Sequence, residues 1–366
     1  MKVLYDHQTF TLQTYGGISR YFYELYSRFN LSDQEATIPL MFSNNAYLNT
    51  QTSRKVKSYF PNNNFPGKFR IQETLNRWSS SREIKGQKFD IFHPTYYDPY
   101  FLKSIGNKPF VVTFLDMIHE KFAFQYKELA DDKESLENKK LLLKNASKII
   151  AISESTKNDI IEIYGVSGNN IDVIYLGNSI LPEKGRQSRL IEGKYLLYVG
   201  NRSVYKNFSF YLESIADILI SEKLLLVCAG GGMFNSDELE FINKLGLTNL
   251  VKFVGVNDHI LKNLYSNAEA FVFPSIYEGF GIPVLEAFAC QCPCLLSTGG
   301  SLSEIGGDSA LYFSPDNANE IRSTLMDVLN DQALKTKMIN LGTERLKLFS
   351  WDKTASQTLN LYKTLI

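Results

Sequence analysis

Ala270-Phe-Val-Phe-Pro-Ser-Ile-Tyr-Glu-Gly-Phe-Gly-Ile-Pro-Val-Leu-Glu-Ala-Phe-Ala-Cys290 opens on four apolar residues, crosses a glycine-containing loop and enters a helical pattern. The apolar run 270–273 has strand length, and Pro283 stands near the first helical position, where its missing N–H has no helical partner to lose. A strand that passes through a glycine turn straight into a helix is the unit of a parallel α/β sheet. Gly279 and Gly281 let the backbone approach a ligand closely, and the N–H groups of Ile282 and its neighbours make a corner for an anion or a hydroxyl. Glu278 lies in the loop and Glu286 one turn inside the helix. Both carboxylates can therefore face one cleft at the carboxyl end of the strand, where α/β folds place ligands. Paired carboxylates suit vicinal hydroxyls of a sugar or ribose, although a glycine turn with capping acids would have the same spacing.

The same alternation runs through almost the whole chain. Apolar runs at 2–5, 91–93, 110–114, 149–152 and 172–175 predict a first series of strands. Those at 195–199, 224–228, 251–254, 270–273, 294–297 and 310–313 predict a second. Helical patterns lie between them, among them 156–164, closed by Gly165, and 260–268, with Asp258 as its expected cap. The fold class is thus α/β with parallel sheets. Residues 177–193 are polar, aperiodic and hold Pro182, Gly185 and Gly193, which marks an interdomain linker. Domains are expected at 1–180 and 190–349. A late helical pattern of Trp351, Ala355, Leu359, Tyr362 and Ile366 has either its own domain or the first to pack on.

The chain has 366 residues, enough for two cores, and 39 Lys+Arg balance 39 Asp+Glu. A neutral chain lacks the bulk signature of a nucleic-acid binder, so no nucleic acid is expected among its partners. No apolar run approaches the roughly 18 residues of a membrane span. The start Val3-Leu4-Tyr5 is interrupted by Asp6 and His7, unlike a signal peptide. Cys228, Cys290, Cys292 and Cys294 match no zinc spacing and read as structural thiols of a reducing compartment, so the cytoplasm is expected. Between Arg54 and Lys88 nine basic residues stand against Glu73 and Glu83, with Phe60, Phe65, Phe69 and Trp78 interleaved. The segment reads either as a solvated excursion with a few core anchors or as a surface for an anionic membrane or phosphate-bearing lipid.

Three further stretches could carry chemistry. Arg202 and Lys206 emerge from the strand 195–199 before a helix, a good place for two cations beside a leaving diphosphate, or for two solvated loop cations. Gly16 and Gly17, in the first strand-to-helix loop, could bring N–H groups to a phosphate or sugar. They form no dinucleotide fingerprint, since G-x-G-x-x-G is absent. His119, flanked by Asp116 and Glu120 after the strand 110–114, is a candidate catalytic residue or a hydrogen-bonded structural histidine. There is no Asp-x-Asp, G-x-S-x-G or G-x-x-x-x-G-K-[ST], so neither a metal held by the first motif, nor a hydrolase elbow, nor a P-loop is supported.

Together, Tyr15-Gly-Gly-Ile-Ser-Arg-Tyr21, Ala151-Ile-Ser-Glu-Ser-Thr-Lys157, Arg202 with Lys206, Glu278 with Glu286 and Ser303-Glu-Ile-Gly-Gly-Asp-Ser-Ala310 resemble the family-4 retaining glycosyltransferases of the GT-B fold. The resemblance implies two Rossmann-like domains facing a cleft, with the C-terminal helix, 350–366, crossing back to the first. It implies a nucleotide diphosphate sugar as donor, no cofactor and no metal. On that pattern Glu286 holds the ribose and Arg202 and Lys206 the diphosphate. Glu278 with the backbone of Gly279, Phe280, Gly281 and Ile282 faces the transferred sugar, while Gly17 closes over the phosphates. In the front-face route proposed for such enzymes, the leaving phosphate helps to deprotonate the acceptor hydroxyl. Many relatives have a histidine where this chain has Leu115, and His119 lies four residues further on. Tyr5-Asp-His-Gln-Thr-Phe and Asp116-Met-Ile-His-Glu120 look like a bacterial branch that builds surface polysaccharides, often with mannosyl donors. The expected acceptor is a glycan or lipid-linked glycan, reached by peripheral contact with the cytoplasmic membrane through residues 54–88. Rival readings are a GT-B epimerase or phosphorylase, or a non-catalytic sugar- or nucleotide-binding module.

Overall fold

Continuous apolar runs, rather than alternating ones, mark strands buried on both faces. In the computed structural model, which describes residues 1–48, 56–60, 63, 65–126, 129, 133–180 and 189–366, strands form at those runs. Arg54 and Lys55 of the basic segment and Pro182 and Gly185 of the linker lie outside the described residues. The chain divides into two compact units, one of Met1–Leu176 with Trp351–Ile366 and the other of Gly177–Ser350.

The first unit holds β1 (Lys2–Tyr5), β2 (Glu35–Thr37) and β3 (Ile91–His93), ordered β2-β1-β3, and β4 (Val111–Phe114), β5 (Lys148–Ala151) and β6 (Ile171–Val173), ordered β4-β5-β6. All pairs are parallel. A bridge between Phe92 and Phe110, with the Phe92 N–H donating to Pro109 O at 3.1 Å, joins the two sets through β3. The order therefore reverses between β1 and β3. Strand β2 has no apolar run to announce it: only Ala36 of its three residues is buried. The C-terminal helix, Trp351–Lys363, belongs to this unit. It buries Trp351, Thr354, Ala355, Thr358, Leu361 and Tyr362, and leaves Ile366 of the expected stripe exposed. Tyr362 Oη meets His93 Nδ1 at 2.5 Å, Thr354 Oγ1 donates to Tyr175 O at 2.7 Å, and Arg28 Nε reaches Asp352 at 2.6 Å.

The second unit is one six-stranded parallel sheet of β7 (Tyr195–Val199), β8 (Leu225–Ala229), β9 (Val251–Val254), β10 (Ala270–Phe273), β11 (Cys294–Ser297) and β12 (Ala310–Phe313). Its order, β12-β11-β10-β7-β8-β9, is that of a doubly wound Rossmann sheet. The core packs Leu196, Tyr198, Leu226, Val272 and Leu295 against Tyr211, Leu212, Ile215 and Leu219 of the helix Phe208–Ser221. Gly165 closes Glu154–Tyr164 in the left-handed region as expected (φ 64°). The cap of Asp258–Asn267 is a correction: Asn257, not Asp258, accepts from the Ile260 N–H. The four cysteines are free, and burial raises the Cys228 thiol to about 12. Among the described residues, no helix is long and apolar enough to cross a membrane.

Candidate functional site

In an open parallel sheet, ligands bind outside the carboxyl ends of the strands where the strand order reverses, because the two connections there leave in opposite directions and open a crevice. In the second unit that point lies between β7 and β10, paired in register as Ala270 with Leu196 and Val272 with Tyr198. The loops leaving these strands are the ones that carry Arg202–Lys206 and Glu278–Ile282. Ile276 N–H donates to Tyr205 O at 2.8 Å and ties the two loops together. Lys206 Nζ then lies 2.6 Å from Glu278 Oε1, with both side chains largely covered. The ammonium also sits 5.2 Å from the ring centres of Tyr205 and Phe273.

The Glu278 loop is held from behind by Gly299 and Gly300. A Cβ on Gly299 would meet Ile276 O at 2.2 Å, and one on Gly300 would meet Glu278 O at 2.3 Å. Ser301 N–H and Oγ both donate to Glu278 O at 3.0 Å, and Oγ also lies 3.0 Å from Phe280 O. Gly281, at φ 100°, turns the chain into the helix Ile282–Ala289 in a conformation that only glycine adopts without strain. Glu286, half-buried on that helix, accepts from Tyr265 Oη at 3.2 Å. Burial first, and the Glu286 carboxylate second, push the Tyr265 hydroxyl well up, so it remains a donor. The structure thus brings Lys206, Glu278, Gly279, Phe280 and Gly281 onto tied loops at the carboxyl ends of β7 and β10, with Ile282 and Glu286 on the helix that follows.

Arg202, on the same loop as Lys206, has partners of its own. Its Nε donates to Glu238 at 2.6 Å, and its Nη2 donates to Gly232 O at 3.0 Å and Met233 O at 3.1 Å. The guanidinium lies 4.7 Å over the Phe234 ring, and the side chain is 4% exposed. Glu238 is fixed as the capping-box residue of the helix Ser236–Lys244. Gly230, Gly231 and Gly232 all have φ between 71° and 83°, and a Cβ on Gly231 would meet Gly200 O at 2.5 Å. Arg202 therefore clamps a glycine loop after β8 against the loop after β7.

In the first unit, Gly16 caps the helix Gly17–Leu31 with extended backbone (φ 169°). The Gln13 side chain covers that helix start, its Oε1 accepting from Ser19 N–H at 3.1 Å. His119 sits in the short helix Ile118–Phe122, half-buried, with Nδ1 3.4 Å from Leu129 O. Sequence reasoning passed over Asp6, directly after β1. At the β1/β3 reversal its fully buried carboxylate accepts from Thr95 N–H at 2.9 Å, Thr95 Oγ1 at 2.7 Å and Gln8 Nε2 at 2.7 Å. The strand-end position was a legible signal. A cavity of about 260 Å³ opens beside it, lined by residues that include His7, Gln8, Tyr96, Tyr97 and Asp98.

A doubly wound sheet with a cation and two carboxylates at its switch point has the chemistry to hold a polyhydroxylated anionic ligand, and the comparisons with known proteins specify the class. Two family models match, Glycosyltransferase Family 4 over residues 15–178 and Glycosyl transferases group 1 over 183–345. The chain belongs to the glycosyltransferases of the family-4 type, with the GT-B architecture. It is 28% identical to the O-antigen chain mannosyltransferase B of Escherichia coli over 304 residues, 77% of this chain and 76% of that one. It is 32% identical over 190 residues to the O-antigen chain mannosyltransferase RfbU of Salmonella typhimurium, 52% of this chain and 53% of that one. Among solved structures, the sucrose-phosphate synthase of Thermosynechococcus elongatus has a TM-score of 0.78 at 20% identity, covering 100% of this chain and 98% of the other. HepE of Anabaena, crystallised with UDP and glucose, has a TM-score of 0.74 at 17% identity over 100% of both chains.

Proposed function

We propose that this glycosyltransferase is a metal-independent, retaining hexosyltransferase that moves mannose from GDP-mannose to a growing, lipid-linked polysaccharide on the cytoplasmic side of the membrane. The observation that carries the reading is the Lys206–Glu278 pair at the β7/β10 switch point, with Glu286 further along the same connection. Lys206 would offset the charge that develops on the departing diphosphate. Glu286, oriented by Tyr265, would accept from the ribose hydroxyls. Glu278 and the Gly279–Ile282 backbone would face the hexose, and the leaving phosphate would take the proton of the acceptor hydroxyl. Arg202 would act through the glycine loop that it clamps. The choice of mannose and of a lipid-linked acceptor is supported by the names of the two O-antigen relatives and by a bacterial diphospho-undecaprenol glycosyltransferase, 25% identical over 60% of this chain.

Thermal shift against UDP, GDP, dTDP and their sugar conjugates, with and without EDTA, tests the donor, because a ligand held by the native state raises its stability by mass action. Selective stabilisation by GDP and GDP-mannose, unchanged by EDTA, is expected. Stabilisation by another base would replace the donor, and loss of the shift in EDTA would end the metal-independent reading. Anomeric configuration of the product, read by NMR, decides retention.

A further inference from the structure

A helix on a globular protein ordinarily turns its apolar stripe inward. Lys68–Gly86 does the reverse. Its buried positions are Gln72, Asn76, Ser80 and Ile84, four residues apart. Asn76 Oδ1 accepts from the N–H groups of Met41 and Phe42 at 3.0 Å, while its amide donates to Phe42 O at 2.8 Å and Thr11 Oγ1 at 2.9 Å. Ser80 Oγ lies 3.1 Å from His7 Nδ1. A polar face so satisfied can be buried, with Ile84 as the helix's buried apolar anchor. Phe65, Phe69 and Trp78 are exposed instead.

The opposite face carries Ile71, Thr74, Leu75, Trp78, Arg82 and Lys85, at spacings of three and four residues. Ile71 is 48% and Trp78 58% exposed and make the apolar end. Arg82 and Lys85 are exposed at the other end, with the Arg82 guanidinium 5.8 Å from the Trp78 ring centre. None of the six outward positions is acidic. We propose that this face docks on an anionic lipid bilayer, with the helix, about 28 Å long at the standard rise, lying in the headgroup plane. An indole ring favours that depth. Long basic side chains lay their apolar stems along the surface while their heads meet lipid phosphates. The neutral balance of the whole chain argues against nucleic acid as the occupant. The inference deepens the lipid-linked acceptor reading above and rests on it for its biological sense. The two fail separately, since vesicle binding needs no donor and the donor panel needs no membrane.

Flotation with phosphatidylcholine vesicles, with and without 30 mol% phosphatidylglycerol, at low and high salt tests it. The only tryptophans are Trp78 and Trp351, and Trp351 is buried, so a blue shift on adding vesicles reports Trp78. Binding to the anionic vesicles is expected to fall about tenfold or more at high salt and in Arg82→Glu/Lys85→Glu. Trp78→Ser/Ile71→Ser should abolish the blue shift and most of the binding, with donor turnover on a water-soluble acceptor unchanged. Equally poor flotation with and without anionic lipid at low salt would overturn the proposal, as would unaltered binding by both double variants. A dimer that Trp78→Ser/Ile71→Ser dissociates would assign the face to a second copy, and retention of a single-stranded oligonucleotide in preference to vesicles would assign it to nucleic acid.

Discussion

Lys206 and Glu278 sit 2.6 Å apart with most of their side-chain surface covered, so removing either leaves the other charge short of its partner. Lys206→Ala is expected to lower turnover by about 10²–10³, the loss seen when one preorganised donor to a developing anion is removed. A kcat equal to wild type, with the fold intact by circular dichroism, would take Lys206 out of the mechanism. Arg202 calls for a different measurement, because its guanidinium is held by Glu238 and by the carbonyls of Gly232 and Met233. If it acts by clamping the glycine loop, Arg202→Ala and Glu238→Ala should lower kcat/KM by similar factors, and the double variant should be no worse than either. A rate loss confined to Arg202→Ala would place the guanidinium on the donor itself. Glu286→Ala should act mainly on binding, raising the donor Kd about tenfold or more as a charged hydrogen bond is lost. An unchanged Kd by calorimetry would count against the ribose contact.

Whole connections fix these side chains, and the connection after β10 depends on glycines that stand outside it. Gly300, at φ 63°, has Glu278 O where its Cβ would be, so Gly300→Ala must move the Glu278 backbone or strain its own. A loss of about 1–3 kcal/mol is expected, roughly 2–4 °C in Tm per kcal/mol for a unit of this size, together with weaker donor binding. A normal donor Kd at a lowered Tm would mean that the loop tolerates the shift. The strands were legible in the sequence where they are continuous apolar runs. The Glu278–Glu286 connection was legible because its glycines, proline and acids all fall within one local stretch. Long-range partners were not legible. Glu238 is 36 residues from Arg202, and nothing local in Asn201-Arg-Ser-Val204 points to it. Short β2 escaped because a three-residue edge strand with one buried side chain has no period to read. In the helix Lys68–Gly86, hydrogen bonds to the segment around Met41 and Phe42 decide which face is inside, where apolarity alone predicts the opposite.

At the scale of the molecule, the first unit is closed by a helix from the far end of the chain, and the closure contains a histidine whose charging burial opposes. His93 is fully buried between Tyr362 of that helix, at 2.5 Å from Nδ1, and Thr113 of β4, at 2.9 Å from Nε2. Burial pushes its pKa down to about 3, and burial lowers that of His7 in the same unit. An unfolded histidine titrates near 6.5. Below that pH the unfolded chain binds protons that the folded unit does not, so stability is full above pH 6.5 and falls as the pH drops towards 3. For His93 alone the loss approaches about 1.4 kcal/mol per pH unit, roughly 2 kcal/mol between pH 6.5 and 5. That window lies above ordinary carboxylate titration, which separates the histidine contribution from acid unfolding. Both tryptophans belong to the first unit, so intrinsic fluorescence in urea reads its unfolding without the second. The unfolding midpoint should fall between pH 7.5 and 5 in the wild type. It should fall less in His93→Gln, whose amide can still meet Tyr362 or Thr113 but cannot take the proton. Parallel pH dependences in the two proteins would show that His93 is matched in the folded unit by a partner that accepts its charge, and that closure by the C-terminal helix is not acid-sensitive through it.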